Sequence, residues 1–565
     1  MLVPKLFTCF KSYNKEQFVK DFISGLIVAV IALPLSIALA IASGVSPEKG
    51  LYTAIVAGFL ISLFGGSKVQ IGGPTGAFVI IVYGIIQKYG IDGLTIATLM
   101  AGIFLILMGI FKCGNMIKYI PYPITTGFTS GIAITIFSTQ IKDFFGLNIQ
   151  VPSEFIHKWA VYFKNMNSIN TQSLIIGIIS ILIIVLCPKI NQKIPPTLIA
   201  IIVSTLLAII FNFNIDTIGS RFGEIPSQFP KMHIPTLNFD TMIKLIPAAI
   251  TIAILAGVES LLSAVVADGM IGGSHRSNME LIAQGLGNIG SALFGGIPAT
   301  GAIARTAANI KNGGRTPVSG IIHSITLVFF MVILMPYIKL IPMASLSAIL
   351  IIVSYNMGEW DTFKRLKKFP KSDSIVFITV FVLTIFFDLV LAIGVGIVLA
   401  SFLFMKRMAD VTDVKSILYT YEHIEDDAFM YKVQIPKDIY LYEINGPFFF
   451  GAADKFVKTI RDMQNLPKVL ILKMSNVPAM DATAYNALET TYELCERNGT
   501  KLLILDIQFQ PLQVLKKYEF INNSNKDILF KDFDRAFEKA LCIVSNHYDK
   551  QSDLPNIPKP SMDLC

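Results

Sequence analysis

The chain has 565 residues, of which 53% are hydrophobic and only 15% charged, and its mean hydropathy is +0.62. A soluble chain carries about 25% charged residues, so this composition excludes an ordinary soluble protein. The formal net charge of +8 gives no case for a nucleic-acid partner, and six scattered cysteines without metal-ligand spacing argue against a metal cluster and a disulfide framework.

Residues 1–21 are polar and basic and lead into an apolar stretch at 22–42. No small-residue cleavage pattern follows, so this stretch reads as a retained helix and not a signal peptide. Further apolar stretches fall at 51–64, 76–88, 94–111, 120–141, 173–188, 196–212, 245–267, 279–293, 300–310, 317–336, 340–355, 374–388 and 390–405, making fourteen in all. Several are shorter than the roughly 20 residues a full span needs. Lys5, Lys11, Lys15 and Lys20 precede the first stretch, Lys364, Arg365, Lys367, Lys368 and Lys371 follow the twelfth, and Lys406 and Arg407 follow the fourteenth. The bias of Lys and Arg toward the cytoplasm then predicts a multi-pass protein of the cell membrane with both termini cytoplasmic.

One phrase occurs twice. Residues 72–77 read Gly-Gly-Pro-Thr-Gly-Ala and residues 295–302 read Gly-Gly-Ile-Pro-Ala-Thr-Gly-Ala. The copies open the third and tenth stretches. A matched pair of Gly/Pro-interrupted apolar segments points to a transporter site built from broken helices, because irregular backbone persists at membrane depth only where protein or a water-filled cavity satisfies it. Seven stretches separate the copies, so they run in opposite directions, as in a 7+7 inverted repeat. Helix N-termini present unpaired N–H groups and partial positive charge to an anion. Thr75, Gly76, Ala77 and Phe78 border one such end, and Thr300, Gly301, Ala302 and Ile303 the other; the rival reading is that Gly and Ala only permit close helix packing.

Arg305 is a cation inside an apolar helix and needs a partner, a water-filled cavity or an escape to the surface. Glu259 lies mid-segment in the eighth stretch, with Ser263 one helical turn later on the same side; it is a candidate carrier of a coupling H+ or Na+, or half of a structural Glu–Arg pair. Ser36 with Pro34 can break the first helix beside the substrate, or Pro34 can simply kink it. His323 reads as a satisfied core histidine and Asp388 as a loop residue.

After Asp410 the composition becomes ordinary. Strands are predicted at Ile439–Asn445, Val469–Met474 and Lys501–Asp506, and helices at Ala453–Met463, Asp481–Arg497 and 531–544, which suggests an α/β domain. The predicted divisions are a cytoplasmic N-terminus (1–21), a transmembrane domain (22–410), a linker (411–429), the α/β domain (430–550) and a tail (551–565). No phosphate loop, metal cluster or nucleophile–base set appears, so neither an enzyme nor a cofactor is expected.

Leu33-Pro34-Leu35-Ser36-Ile37-Ala38, Gln70 to Phe78, Gly257 to Ser263 and Gly295 to Arg305 together resemble the SulP family of anion transporters, and the α/β tail is similar to a STAS domain. The resemblance implies a core domain holding the site, a gate domain, elevator-like movement, and a cytoplasmic STAS domain in a homodimer. It also implies a basic residue near the anion, here Arg305. A sodium-coupled bicarbonate transporter of the family has Asp and Thr where this chain has Glu259 and Ser263. Thr483 falls where anti-sigma antagonists carry a phosphorylatable serine, with the start of an ordinary helix as the rival reading. The expected function is secondary transport of a small anion across the lipid bilayer: sulfate by default, with bicarbonate and C4-dicarboxylates as rivals. A nucleobase permease would not need Arg305, and a STAS-based membrane signalling protein, with a cytoplasmic regulator as partner, is the alternative of another class.

Overall fold

The computed structural model describes residues 2–10, 13–115, 121–152, 154–190, 195–224, 226–232, 235, 239–387, 389–417, 420–424, 430–463, 466–521 and 526–548. Asp388, Lys11 and the 551–565 tail lie outside the described residues. The chain forms two compact units, residues 1–400 and 401–565.

The first unit is helical. Its order is α1 (Lys5–Cys9), α2 (Lys15–Ala42), α3 (Pro47–Phe64), the short strand β1 (Gly72–Gly73), a 3-10 turn at Gly76–Phe78, α4 (Val79–Ile110), α5 (Tyr122–Phe144), α6 (Phe155–Lys164), α7 (Thr171–Ile190), α8 (Pro196–Ile210) and α9 (Ile218–Phe222). Then follow α10 (Phe239–Ile271), α11 (Ser277–Leu293), β2 (Thr300–Gly301), α12 (Ile303–Lys311), α13 (Val318–Ile338), α14 (Met343–Met357), α15 (Trp360–Arg365), α16 (Lys371–Phe386) and α17 (Leu389–Val411), which runs into the second unit. All fourteen apolar stretches fall on helices. The third and fourth are the two arms of α4, bent at Gly90, whose φ of 68° a side chain would resist. The tenth begins later than predicted. Thr300 and Gly301 are strand, and the helix starts at Ile303.

Among the described residues, six helices are long and apolar enough to cross a membrane by themselves. Their packing is that of a membrane bundle. On α7 the large side chains Ile175, Ile178, Leu182 and Val185 are exposed at helical spacing, while Ser173, Gly177 and Ser180 are buried. Lipid tails give apolar side chains no reason to hide, so helices meet through small residues and interhelical hydrogen bonds instead. Ser180 of α7 bonds Ser345 of α14 at 2.8 Å, and Ser345 donates in turn to Ser204 of α8.

The second unit carries a five-stranded sheet in the order β3 (Asp413–Ile417), β6 (Ile439–Asn445), β7 (Val469–Asn476), β8 (Lys501–Leu505), β9 (Leu529–Phe530), and a separate antiparallel pair, β4 (Thr420–Ile424) with β5 (Met430–Gln434). Strands β6 to β9 are parallel and β3 is antiparallel to β6. Helices α18 (Phe450–Arg461), α19 (Ala482–Arg497), α20 (Phe509–Lys517) and α21 (Phe533–Tyr548) complete the unit. One apolar core holds Phe448, Phe456 and Leu488 from the side of α18 and α19; another holds Phe533, Ala540 and Val544 from α21. The expected 411–429 linker contains β3 and β4 instead, because β6 offers an edge that β3 pairs along five residues.

Glycine sets how closely α2 and α3 approach. A Cβ on Gly50 would overlap the backbone oxygen of Ser36 and come within 2.9 Å of Ala40 Cβ. Gly50→Ala is expected to destabilise the first unit by about 1–3 kcal/mol, as overpacking does, seen as a lower unfolding midpoint of the detergent-solubilised protein. An unchanged midpoint would refute this close packing.

Candidate functional site

The two copies of the repeated phrase meet. Gly72 pairs with Gly301 and Gly73 with Thr300 in an antiparallel ladder of two residues per strand. The Ala302 N–H extends it by donating to Ile71 O at 2.9 Å. Just past the ladder, each copy starts a helix: the 3-10 turn at Gly76 that continues into α4, and α12 at Ile303. Neither start has a side-chain cap, so first-turn N–H groups that a Ser, Asp or Asn would ordinarily occupy stay available.

Two neighbouring helices hold this arrangement. From α10, Glu259 Oε2 accepts from Thr75 Oγ1 at 3.0 Å in the first copy. The next residue, Ser260, shares a 2.7 Å bond with Thr300 Oγ1 and accepts from the Gly301 N–H at 3.1 Å in the second. From α11, the buried carboxylate of Glu280 accepts from the N–H groups of Gly66 and Ser67 at 2.8 and 3.0 Å, fixing the approach to the first copy. Asn288 of α11 brackets the second, donating to Ala299 O at 2.8 Å and accepting from Ala299 N–H at 2.9 Å.

Arg305 crosses between the copies. It is 2% exposed and its Nη2 donates to Pro74 O. Its Nε and Nη1 have no partner. Gly73 lies under the guanidinium with a φ of 153°, and a Cβ there would overlap Nη1. A buried cation with two unused donors is costly unless a ligand completes it. A cavity of about 430 Å³ lies at this point, lined by Thr75, Gly76 and Ala77, by Ala302, Ile303 and Arg305, and by Glu259.

Other expected site residues stand behind the cavity. Phe78 is buried. Thr300 donates to Ala256 O at 3.0 Å, and Gly301 is in the ladder. Ser263 donates to Thr306 at 3.3 Å. Ser36 is buried with its hydroxyl unpartnered, and its neighbours Leu35 and Leu39 line the cavity from α2. His323 is buried with neither ring nitrogen partnered, unlike the satisfied histidine expected. In the second unit Thr483 is exposed on the first turn of α19, whose cap Asp481 accepts from Ala484 N–H at 2.8 Å; it lines a shallow 370 Å³ cavity with Lys458, Arg461 and Asn486.

The cavity also takes Thr125 and Thr129 from α5, Asn356 from the end of α14 and Glu359 from the turn into α15. Two threonines one turn apart in an apolar stretch were the available signal for α5. Glu280 and Asn288, likewise absent from the sequence-derived site, are polar residues in an apolar stretch whose role is visible only once α11 packs on the two copies. Among the described residues no group of three or more His, Cys, Asp or Glu side chains is placed to hold a metal ion.

Residues 18–380 match the sequence model of the sulfate permease family. The chain belongs to that family. Its members are transporters and not enzymes, and residues 430–536 match the STAS domain. The Bacillus subtilis protein YvdB, provisionally named a sulfate transporter, is 42% identical over 93% of this chain and 98% of its own length. The bicarbonate transporter BicA of Picosynechococcus is 30% identical over 93% of this chain and 95% of its own. In three dimensions the chain is similar to murine Slc26a9, an anion transporter solved in the inward-facing state, with a TM-score of 0.85 at 19% identity, covering 96% of this chain and 94% of that one. At that identity the likeness shows the fold alone. The chain is thus a multi-pass anion transporter of the sulfate permease family, with a C-terminal STAS domain.

The hydrogen bonds of Thr300 separate support from ligand contact. Thr300→Val removes a buried hydroxyl with two partners, at a cost of about 1–3 kcal/mol. It should lower the unfolding midpoint and leave the KM for the transported anion nearly unchanged. A raised KM with an unchanged midpoint would instead put this hydroxyl on the anion.

Proposed function

We propose that the protein is a secondary transporter of small inorganic anions, sulfate first among them, working by alternating access with elevator-like movement of the unit that holds the site. The observation that carries this reading is the convergence of two uncapped helix starts and the unpartnered Nε and Nη1 of Arg305 on one cavity. Two helix ends contribute roughly half a positive charge each, and Arg305 brings the sum to about +2. This suits a divalent anion when the carboxylate of Glu259 is neutralised, and a monovalent one when it is not. The opposed copies support a 7+7 inverted repeat.

Glu259 is the proposed coupling residue, carrying H+ or helping to hold Na+ with Thr75. Its carboxylate faces the cavity and takes a hydroxyl hydrogen bond. The cavity reaches Asn356 and Glu359, both exposed, a few residues before the basic run at 364–371. Basic loops favour the cytoplasm, so the described conformation reads as inward-open, with both termini cytoplasmic. Bicarbonate is the second reading, favoured by the similarity to BicA over nearly the whole chain. A homodimer, a cytoplasmic regulator of the STAS domain and phosphorylation at Thr483 complete the proposal. Phosphate at Thr483 would add nearly two negative charges beside Lys458 and Arg461.

The test is uptake of labelled sulfate, bicarbonate and fumarate into proteoliposomes, each with and without sodium and pH gradients. Sulfate uptake driven by one gradient is expected, and uptake of none of the three would sink the proposal.

Two substitutions probe the residues. Arg305→Ala should reduce uptake by at least about a hundredfold, as loss of a buried charge-assisted contact does, with the protein still folded by size-exclusion chromatography. Glu259→Gln should remove the dependence on the coupling gradient while leaving anion binding measurable. Unaltered gradient dependence would rule out the coupling role.

A further inference from the structure

A second, basic cavity of about 490 Å³ lies where α2 begins. Its walls come from α1, the first turns of α2, and the loops at Lys68, Arg276 and Arg315. The chain is pinned here: Lys5 N–H donates to Gly65 O at 2.9 Å, and Arg276 Nη1 to Val3 O at 2.6 Å.

Five cations line the cavity: Lys5, Lys20, Lys68, Arg276 and Arg315. Glu16 is the one acid in its lining, and it is bound to Lys20 at 2.6 Å. Asp21, fully buried beneath, accepts from Tyr13 OH at 3.1 Å, Gln17 Nε2 at 3.0 Å, the N–H groups of Arg315 and Thr316 at 2.9 and 3.4 Å, and Thr316 Oγ1 at 2.5 Å. Its oxygens are committed to the floor of the cavity. Arg315 likewise spends Nη1 on the carbonyls of Ile310 and Gly314, at 2.8 and 2.7 Å. Among the described residues, Lys5 and Lys68 have no carboxylate partner, although both are half-buried. Burial first, then the charges of Arg276 and Lys68, holds the Lys5 ammonium below its usual pKa. Five cations therefore share this place with three acids: Glu16 on Lys20, the buried Asp21, and Asp268, whose charge acts on Lys5.

We infer that this cavity is a binding site for a phosphate group, held by Lys5, Lys68 and Arg276, distinct from the transport site. A phosphate oxyanion carries the charge these cations lack, takes point contacts from lysine and paired ones from arginine, and fits the volume. The group can come from a lipid headgroup or from free phosphate in the cytoplasm. Phe7, Phe10 and Phe18 are exposed beside the cavity, as in segments that lie in the interface of an anionic membrane. The ligand would tie α1 to the loops that lead into β1 and into α11. It would act on the stability of the bundle carrying Arg305 without touching the transported anion.

The experiment uses the full chain in nanodiscs, with unfolding midpoint and bound phosphorus as readouts. One arm titrates inorganic phosphate into phosphatidylcholine discs; the other compares discs with and without phosphatidic acid, in phosphate-free buffer. Stabilisation in either arm is expected, and the arm that gives it identifies the source. Lys5→Gln with Lys68→Gln should weaken the effect about tenfold or more, as loss of two charge-assisted contacts does, while Arg305→Ala and the surface pair Lys364→Gln with Lys367→Gln should leave it intact. No stabilisation in either arm overturns the inference. So does an effect that survives the Lys5 and Lys68 substitutions, or one abolished by Arg305→Ala, which would place the phosphate in the transport cavity.

Discussion

The cavity at Arg305 depends on a backbone ladder of two residues from each copy, at Gly72–Gly73 and Thr300–Gly301. In hydrocarbon, an unpaired N–H or carbonyl costs several kcal/mol. Two interrupted helices can therefore exist side by side only if each satisfies the other's exposed backbone. The ladder does this, and it sets both helix starts toward the same space. Adjacent residues on one helix then lock the result, since Glu259 reaches Thr75 and Ser260 reaches Thr300. One face of α10 thus serves both copies, with Glu259 bonded to the first and its neighbour Ser260 to the second.

The two copies of the phrase are similar but not equivalent. The first copy continues through a 3-10 turn into a long, bent helix; the second enters a nine-residue helix. Only the second carries an arginine, and that arginine spends one nitrogen on the carbonyl of the first copy. Gly73 is small because the guanidinium of the opposite copy lies against it. Local repetition thus built the frame, and the departure from repetition supplied the charge.

Much of this was legible in the residues. Hydropathy located the helical stretches, and the repeated phrase located the place where the two starts meet, because Gly and Pro interrupt an apolar run only for a reason. Which side chains of the phrase face the cavity was not legible. Thr75 faces it and Thr300 does not, although both occupy the same place in the phrase; the difference comes from Ala256 and Ser260 engaging Thr300 from α10. Ser36 missed the cavity by a single position, since one residue along a helix turns the side chain by about 100°. Glu280 escaped notice because the backbone groups it accepts from are more than 200 residues away in sequence, and Asn288 because its bonds to Ala299 form only when the chain folds back beyond α11. In the second unit β6, β7 and β8 were readable from alternation and apolar runs, whereas β3, β4, β5 and the two-residue β9 were not, since they depend on pairings with other strands.

The ladder also has a consequence for biogenesis. The arginine and the carbonyl it meets are 231 residues apart in sequence. At synthesis rates of about 5–20 residues per second, the first copy exists for roughly 10 to 50 s before the second has been made. During that interval its backbone has no strand to pair with, and hydrocarbon would not tolerate it. The loop from Gly65 to Phe78 must therefore wait in a watery or proteinaceous setting at the insertion machinery, and the first half of the bundle closes only after the second half arrives.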